Sequence, residues 1–199
     1  MEKESLIKEA ERLKNTKGKA RGVAIKSHAE FILKEKGEAA LKQLEEKMSE
    51  MGFPINYEEI EPMEFYPLYM EYATFLAIKN LFNFNDEQLR ELGAFQTKIS
   101  LIVRLFMKYF GSATILVKET PKMWEKYYTV GKLKVVSMDM VKRRCIIRLE
   151  DYAGYPPQCR GFEGYFSYVA KMVMNSPVSC REKKCTYKGD DCHEFELTW

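Results

Sequence analysis

The sequence predicts an α+β fold, with a helical N-terminal half packed on a twisted four-stranded antiparallel sheet from a β-β-α-β-β C-terminal half. Three observations predict it. Apolar residues recur at three- and four-residue spacing as far as Gly111, which is the period of an amphipathic helix. After Gly131 the apolar residues alternate instead, as in half-buried strands. Cysteine usage changes as well, with four of the five cysteines after residue 158.

The helices follow in order. Leu6, Ile7, Ala10 and Leu13 keep helical spacing until Asn15-Thr16-Lys17-Gly18 interrupts it. This segment, 1–18, reads as an N-terminal helical appendage to a domain spanning 19–199. Val23, Ile25, Phe31, Ile32 and Leu33 predict a second helix ending at Gly37. Ala40, Leu41, Leu44, Met48 and Met51 predict a third, stopped by Gly52 and Pro54. Residues 55–63 read as a connector. Pro67 can open the next helix, because its missing N–H is not needed in a first turn. Asn85 with Gln88 three residues on resembles a capping box. It precedes the longest amphipathic stretch, from Leu89 through Phe106 and Tyr109 to Gly111. Thr120-Pro121 predicts the start of a short helix that closes at Gly131.

The C-terminal elements are predicted from alternation. Leu133, Val135 and Ser137, then Cys145, Ile147 and Leu149, predict two strands joined through Lys142-Arg143-Arg144. A helix is expected over about Gln158–Met174, followed by strands over 178–184 and 192–199. In the last strand Phe195, Leu197 and Trp199 share one face.

Composition bounds the function. Hydrophobic residues make up 46% of the chain and charged residues 31%, the balance of a folded globular protein. The net charge is +3, from 32 basic and 29 acidic residues. Nucleic-acid binding by counterion release needs a concentrated basic patch, so no direct nucleic-acid binding is expected. No apolar run is long enough to span a bilayer, and the charged N-terminus lacks a signal core. A cytoplasmic location is therefore expected. Reducing conditions there disfavour disulfides, so the late cysteines raise metal chemistry first.

Cys185 and Cys192 flank the turn around Gly189, Glu182 lies three residues before Cys185, and Cys159 starts the preceding helix. Three thiolates and a carboxylate make a tetrahedral set, with Cys180 and His193 as competing ligands. Buried thiols in the sheet are the other reading of the same residues. Cys145 alternates with apolar neighbours and is assigned to the core. His193 shares strand parity with Phe195 and reads as a packed histidine.

The run Gly161-Phe162-Glu163-Gly164-Tyr165, followed by Cys185, Gly189-Asp190, Cys192 and Phe195, resembles the 4-vinyl-reductase-like (4VR) domain family. That family belongs to a superfamily with haem–NO-binding domains and the TRAPP subunits of Golgi transport. Phe65-Tyr66-Pro67-Leu68, Leu92-Gly93 and Trp124-Glu125-Lys126-Tyr127-Tyr128 are similar to stand-alone members. The resemblance implies a structural Zn2+ held by Cys159, Glu182, Cys185 and Cys192. It implies a homodimer, and a pocket for an apolar or aromatic small molecule lined by Phe106, Phe110, Trp124, Tyr127, Tyr128, Phe162, Tyr165 and Phe166. No haem is expected, since the haem sensors use a proximal His and a Tyr-x-Ser-x-Arg element that the chain lacks.

The function expected on this basis is non-catalytic binding or sensing of a small molecule. The alternative is a scaffold or adaptor of TRAPP-like fold. A vinyl reductase is the third reading, without a dinucleotide loop or a redox centre in the sequence to support it.

Overall fold

The computed structural model describes residues 2–99 and 113–199. The chain divides into two compact units, Met1–Asp86 and Glu87–Trp199.

The first unit is helical. It contains α1 (Glu2–Leu13), α2 (Gly22–Lys36), α3 (Glu38–Glu50) and α4 (Leu68–Phe82). Its core is the apolar stripe of each helix, including Ala10, Ile25, Ile32, Leu44, Met48 and Leu76, all buried. Pro67 stands at the N-cap of α4, as its sequence position implies. Two three-residue strands, β1 (Lys19–Arg21) and β2 (Phe65–Pro67), pair antiparallel. They are too short for alternation to announce them. Two polar pairs are buried in this unit. His28 Nε2 lies 3.6 Å from Glu71 Oε1, and the Tyr57 hydroxyl lies 3.0 Å from Thr74 Oγ1.

The second unit carries the predicted β-β-α-β-β order. After α5 (Asp86–Ile99) and α6 (Ala113–Tyr127) come β3 (Lys132–Asp139), β4 (Arg144–Glu150), α7 (Pro156–Met174), β5 (Ser179–Lys184) and β6 (His193–Thr198). The strands form one antiparallel sheet in the order β3-β4-β6-β5. Ile147 faces Phe195, and Cys145 and Cys180 both pair with Leu197. The inward residues of β4 and β6 thus form one buried face, against which α7 packs Phe162 and Phe166. No helix among the described residues is long and apolar enough to cross a membrane.

Two expectations change. Thr120-Pro121 does not open a helix, because Pro121 lies inside α6. The missing Pro N–H leaves the carbonyl of Val117 without its usual partner. One residue earlier, the Leu116 carbonyl accepts from the Thr120 hydroxyl at 2.7 Å. The helix begins upstream because apolar spacing and packing outweigh one proline. The stretch Leu89–Gly111 is seen as α5 up to Ile99, and its remainder lies outside the described residues.

Helices α5 and α7 meet backbone to backbone. A Cβ on Gly93 would sit 1.9 Å from the Gly161 carbonyl oxygen, and one on Gly164 would sit 1.8 Å from that of Arg90. Only glycine permits this approach. Beside it, Arg90 Nε donates to Glu163 Oε2 at 2.7 Å, and Arg160 donates to Glu163 Oε1 at 2.7 Å. Glu163 is fully buried, and these partners make its charge tolerable there. The Gly161–Tyr165 run therefore has a packing role of its own. Gly93→Ala is expected to lower the urea midpoint by about 1–3 kcal/mol of stability or more, since a carbonyl cannot rotate aside. A variant as stable as the parent would show that the helices do not touch there.

Candidate functional site

The second unit holds two candidate sites, a polar cluster and an aromatic cavity. The polar cluster arises from strand parity. Glu182 pairs with Phe195, and His193 lies two residues before Phe195, so Glu182 and His193 point to the same face. A bulge between Glu182 and Lys184 then shifts the register of β5 and leads into Cys185. Cys159 comes from the first turn of α7, behind Pro156-Pro157. The ligand atoms of Cys159, Glu182, Cys185 and His193 lie within 4.8 Å of one another, and all four residues are buried or half-buried.

The cluster is internally bonded. His193 Nδ1 is 2.9 Å from Glu182 Oε1 and 3.7 Å from Cys159 Sγ. His193 Nε2 is 2.7 Å from Thr186 Oγ1, and Arg160 donates to Glu182 Oε2 at 2.6 Å. The backbone N–H of Cys185 donates to Asp190 Oδ2 at 2.7 Å, which ties the turn across Gly189. The two thiols lie close together within the cluster. Hydrogen bonding to Cys185, together with burial, raises Cys159 well above the usual thiol range. The same hydrogen bond from Cys159 lowers Cys185 to about 6. Burial pushes Glu182 up, but hydrogen bonds from His193 and Cys159 and the Arg160 charge hold it below the usual carboxylate range. Two sulfurs, a carboxylate and an imidazole can hold a four-coordinate ion of borderline softness.

Three of the four residues named from sequence meet here, and Cys192 does not join them. Its sulfur lies 3.4 Å from Asp191 Oδ1. Cys192 lies in the bend just before β6, and β6 begins at His193. His193 takes the inward position, and Gly154 makes room for it: a Cβ there would sit 2.3 Å from the imidazole. Cys180 is buried on the sheet and Cys145 is in the core, where burial raises its thiol to about 11.

The cavity lies in the same unit. Its lining includes Trp124, Tyr127, Tyr128, Phe162, Tyr165 and Phe166, all six of the described residues expected from sequence. Phe106 and Phe110 lie outside the described residues. Gln96, Leu116, Thr120, Met123, Leu133 and Val169 also line it. Trp124 stacks on Tyr128 at 4.3 Å and meets Phe162 edge-on at 5.5 Å. The indole is fixed by its N–H, which donates to the Val130 carbonyl at 2.9 Å. Tyr152 bridges the two sites, lying 5.4 Å from Trp124 and 6.1 Å from His193 by ring centres.

The cavity encloses about 70 Å³. An apolar cavity of ~150 Å³ takes up benzene unaided, so a single ring enters here only with a side-chain shift. Met123 is the most adaptable of the lining residues. Sequence reading missed Gln96, although a signal was present. Leu89, Leu92 and Gln96 fall on one helical stripe, and a polar residue on an apolar stripe is the exception to explain.

No protein-family model matches the chain, and no curated protein matches it. Solved structures do. An H-NOX protein from S. oneidensis in the Fe(II)NO ligation state aligns with a TM-score of 0.68 at 12% identity, over 89% of this chain and 97% of that one. An unliganded Fe(II) H-NOX protein from K. algicida aligns with a TM-score of 0.62 at 10% identity, over 89% and 95%. A structure described by heme redox potential and porphyrin distortion aligns at 0.58 and 12% identity, over 90% and 99%. The chain has the H-NOX fold.

This corrects the resemblance to the 4-vinyl-reductase-like family, and with it the expectation of structural zinc without haem. The neighbours are H-NOX structures described by Fe(II) ligation and heme. The residues that carried the resemblance have local reasons to be present. Gly161 and Gly164 serve the α5–α7 contact, Gly189 the turn, and Cys192 is not in the ligand set. Whether a haem suits this cavity depends on its donors. Among the described lining residues there is no imidazole, thiolate or cation, and neither histidine of the chain lines it. That lining does not fit a haem held by histidine with paired propionates.

His193→Ala would leave the buried Glu182 without its imidazole partner. It should cost about 1–3 kcal/mol in urea unfolding, and Cys192→Ala clearly less. Equal losses would mean that Cys192 contributes as much to the cluster as His193.

Proposed function

We propose that the second unit is a binding domain for an apolar, ring-sized small molecule, acting as a sensor rather than a catalyst. The observation that carries this is the aromatic cavity between α5, α6 and α7. Its lining is mostly aromatic and aliphatic, and the Trp124 indole is fixed by its N–H. A cavity of that character with few polar groups is the common form of a small-molecule site. The H-NOX likeness supports the reading, because neighbours are described by small ligands bound in their fold.

Occupancy has a route to the rest of the unit. Phe162 and Phe166 line the cavity from the same helix that supplies Cys159 to the polar cluster. A guest that shifts α7 would disturb both.

Ligand that binds only the native state raises its melting temperature. Titration with small neutral rings is expected to raise Tm and change Trp124 fluorescence. Leu116→Phe, which fills the cavity, should weaken binding about tenfold, the loss that a steric conflict of ~1.4 kcal/mol produces. Haemin is titrated in parallel, where a Soret band would make the guest a tetrapyrrole. If neither rings nor haemin stabilise the protein, the reading fails.

A further inference from the structure

Among the described lining residues, Gln96 and Tyr165 carry polar groups that make no hydrogen bond with any described residue. Gln96 is 5% exposed, lines the cavity, and its amide makes no hydrogen bond with any described residue. Tyr165 lines the same cavity, and its hydroxyl likewise makes none. The other lining groups are accounted for differently: the Thr120 hydroxyl donates within its own helix, and the indole N–H of Trp124 donates to Val130. A buried amide without a partner costs free energy comparable to a lost hydrogen bond. Gln96 also occupies the apolar stripe of α5, where leucine or methionine would pack without that cost. Its presence is explained if something in the cavity completes it.

We propose that Gln96 and Tyr165 anchor the polar head of the ligand, and that this head is a neutral hydroxyl or carbonyl group. The proposal rests on the cavity being a binding site, and it adds the chemical class of the guest and the residue that selects it. The amide offers two N–H donors and one acceptor, and the phenol offers one of each. A hydroxyl or carbonyl oxygen can accept from both residues, and a hydroxyl can also donate to the Gln96 carbonyl. Among the described lining residues no charged side chain is present to pair a carboxylate, phosphate or ammonium. Burial, with the neighbouring Tyr127, raises the Tyr165 hydroxyl well above its ordinary value, which keeps it a neutral donor.

The geometry gives selectivity its physical basis. A site built to hydrogen-bond a substrate group penalises an isostere lacking that group, because its own buried groups then stay unpaired. The aromatic walls contribute affinity for any ring of the right size. Gln96 decides which ring is preferred.

The test uses the full chain and three probes: benzyl alcohol, its apolar isostere ethylbenzene, and benzoate. Binding is followed by Trp124 fluorescence and by Tm. Benzyl alcohol is expected to bind about tenfold more tightly than ethylbenzene, and benzoate not to bind measurably. In Gln96→Leu the preference should fall to near unity while ethylbenzene affinity is kept or improved. Tyr165→Phe should reduce the preference in part. Retained ethylbenzene binding shows that Gln96→Leu is folded and its cavity intact. Equal affinity for the two neutral probes in the parent would overturn the anchor while leaving the cavity reading in place. An unchanged preference in Gln96→Leu, or tight benzoate binding, would also overturn it. No binding of any of the three removes the cavity reading, and the anchor with it.

Discussion

The close crossing of α5 on α7 is the constraint on which the second unit depends. Three glycines allow it. Gly93 lies against Gly161, and Gly164 lies against Arg90, at separations no Cβ could share. This contact sets the depth at which α5 rides on the domain. It brings Arg90 within hydrogen-bonding distance of the buried Glu163, and it carries Gln96, one turn further along α5, to the cavity. A wider crossing would separate the buried carboxylate from its arginine. Removing one partner of such a pair costs about 3–5 kcal/mol, so the ion pair and the glycine contact hold each other in place.

From Glu163 the polar connections run on through the unit. Arg160 joins Glu163 to Glu182, and Glu182 joins His193. Helix α7 therefore faces two environments. Cys159 enters the polar cluster at its N-terminus, while Phe162, Tyr165 and Phe166 form cavity wall further along. The helix is anchored at the cluster end by bonds with strict geometry and bordered at the cavity by adaptable apolar contacts. That division suits a rigid support next to a site that must admit a guest.

Much of this was legible in the sequence, and the failures have identifiable causes. Periodicity located the helices and the β-β-α-β-β order because each of those elements is long enough to show its period. Strands β1 and β2 escaped notice because three residues carry no alternation. Pro121 looked like a helix start because local propensity cannot weigh the tertiary packing of α6. Within the polar cluster, spacing favoured Cys192, yet parity with Phe195 already placed His193 on the inner face. Six aromatics that the resemblance implied for a pocket fall together along one cavity. Gln96 was not named, since a helical glutamine reads as solvated until its stripe is compared with Leu89 and Leu92. The Gly93–Gly161 contact joins residues distant in sequence, and no local pattern marks it. The short motifs around Gly161 and Cys185 suggested one family, whereas the fold over 89–90% of the chain is that of H-NOX structures.

The proposed function requires an apolar void in the second unit that can take a guest. Xenon enters such cavities without needing hydrogen bonds or charge, so it tests the void apart from any choice of ligand. Crystals of the protein pressurised with xenon should show anomalous density between Trp124, Phe162 and Tyr165. Well-ordered crystals with no xenon at that position would contradict the account.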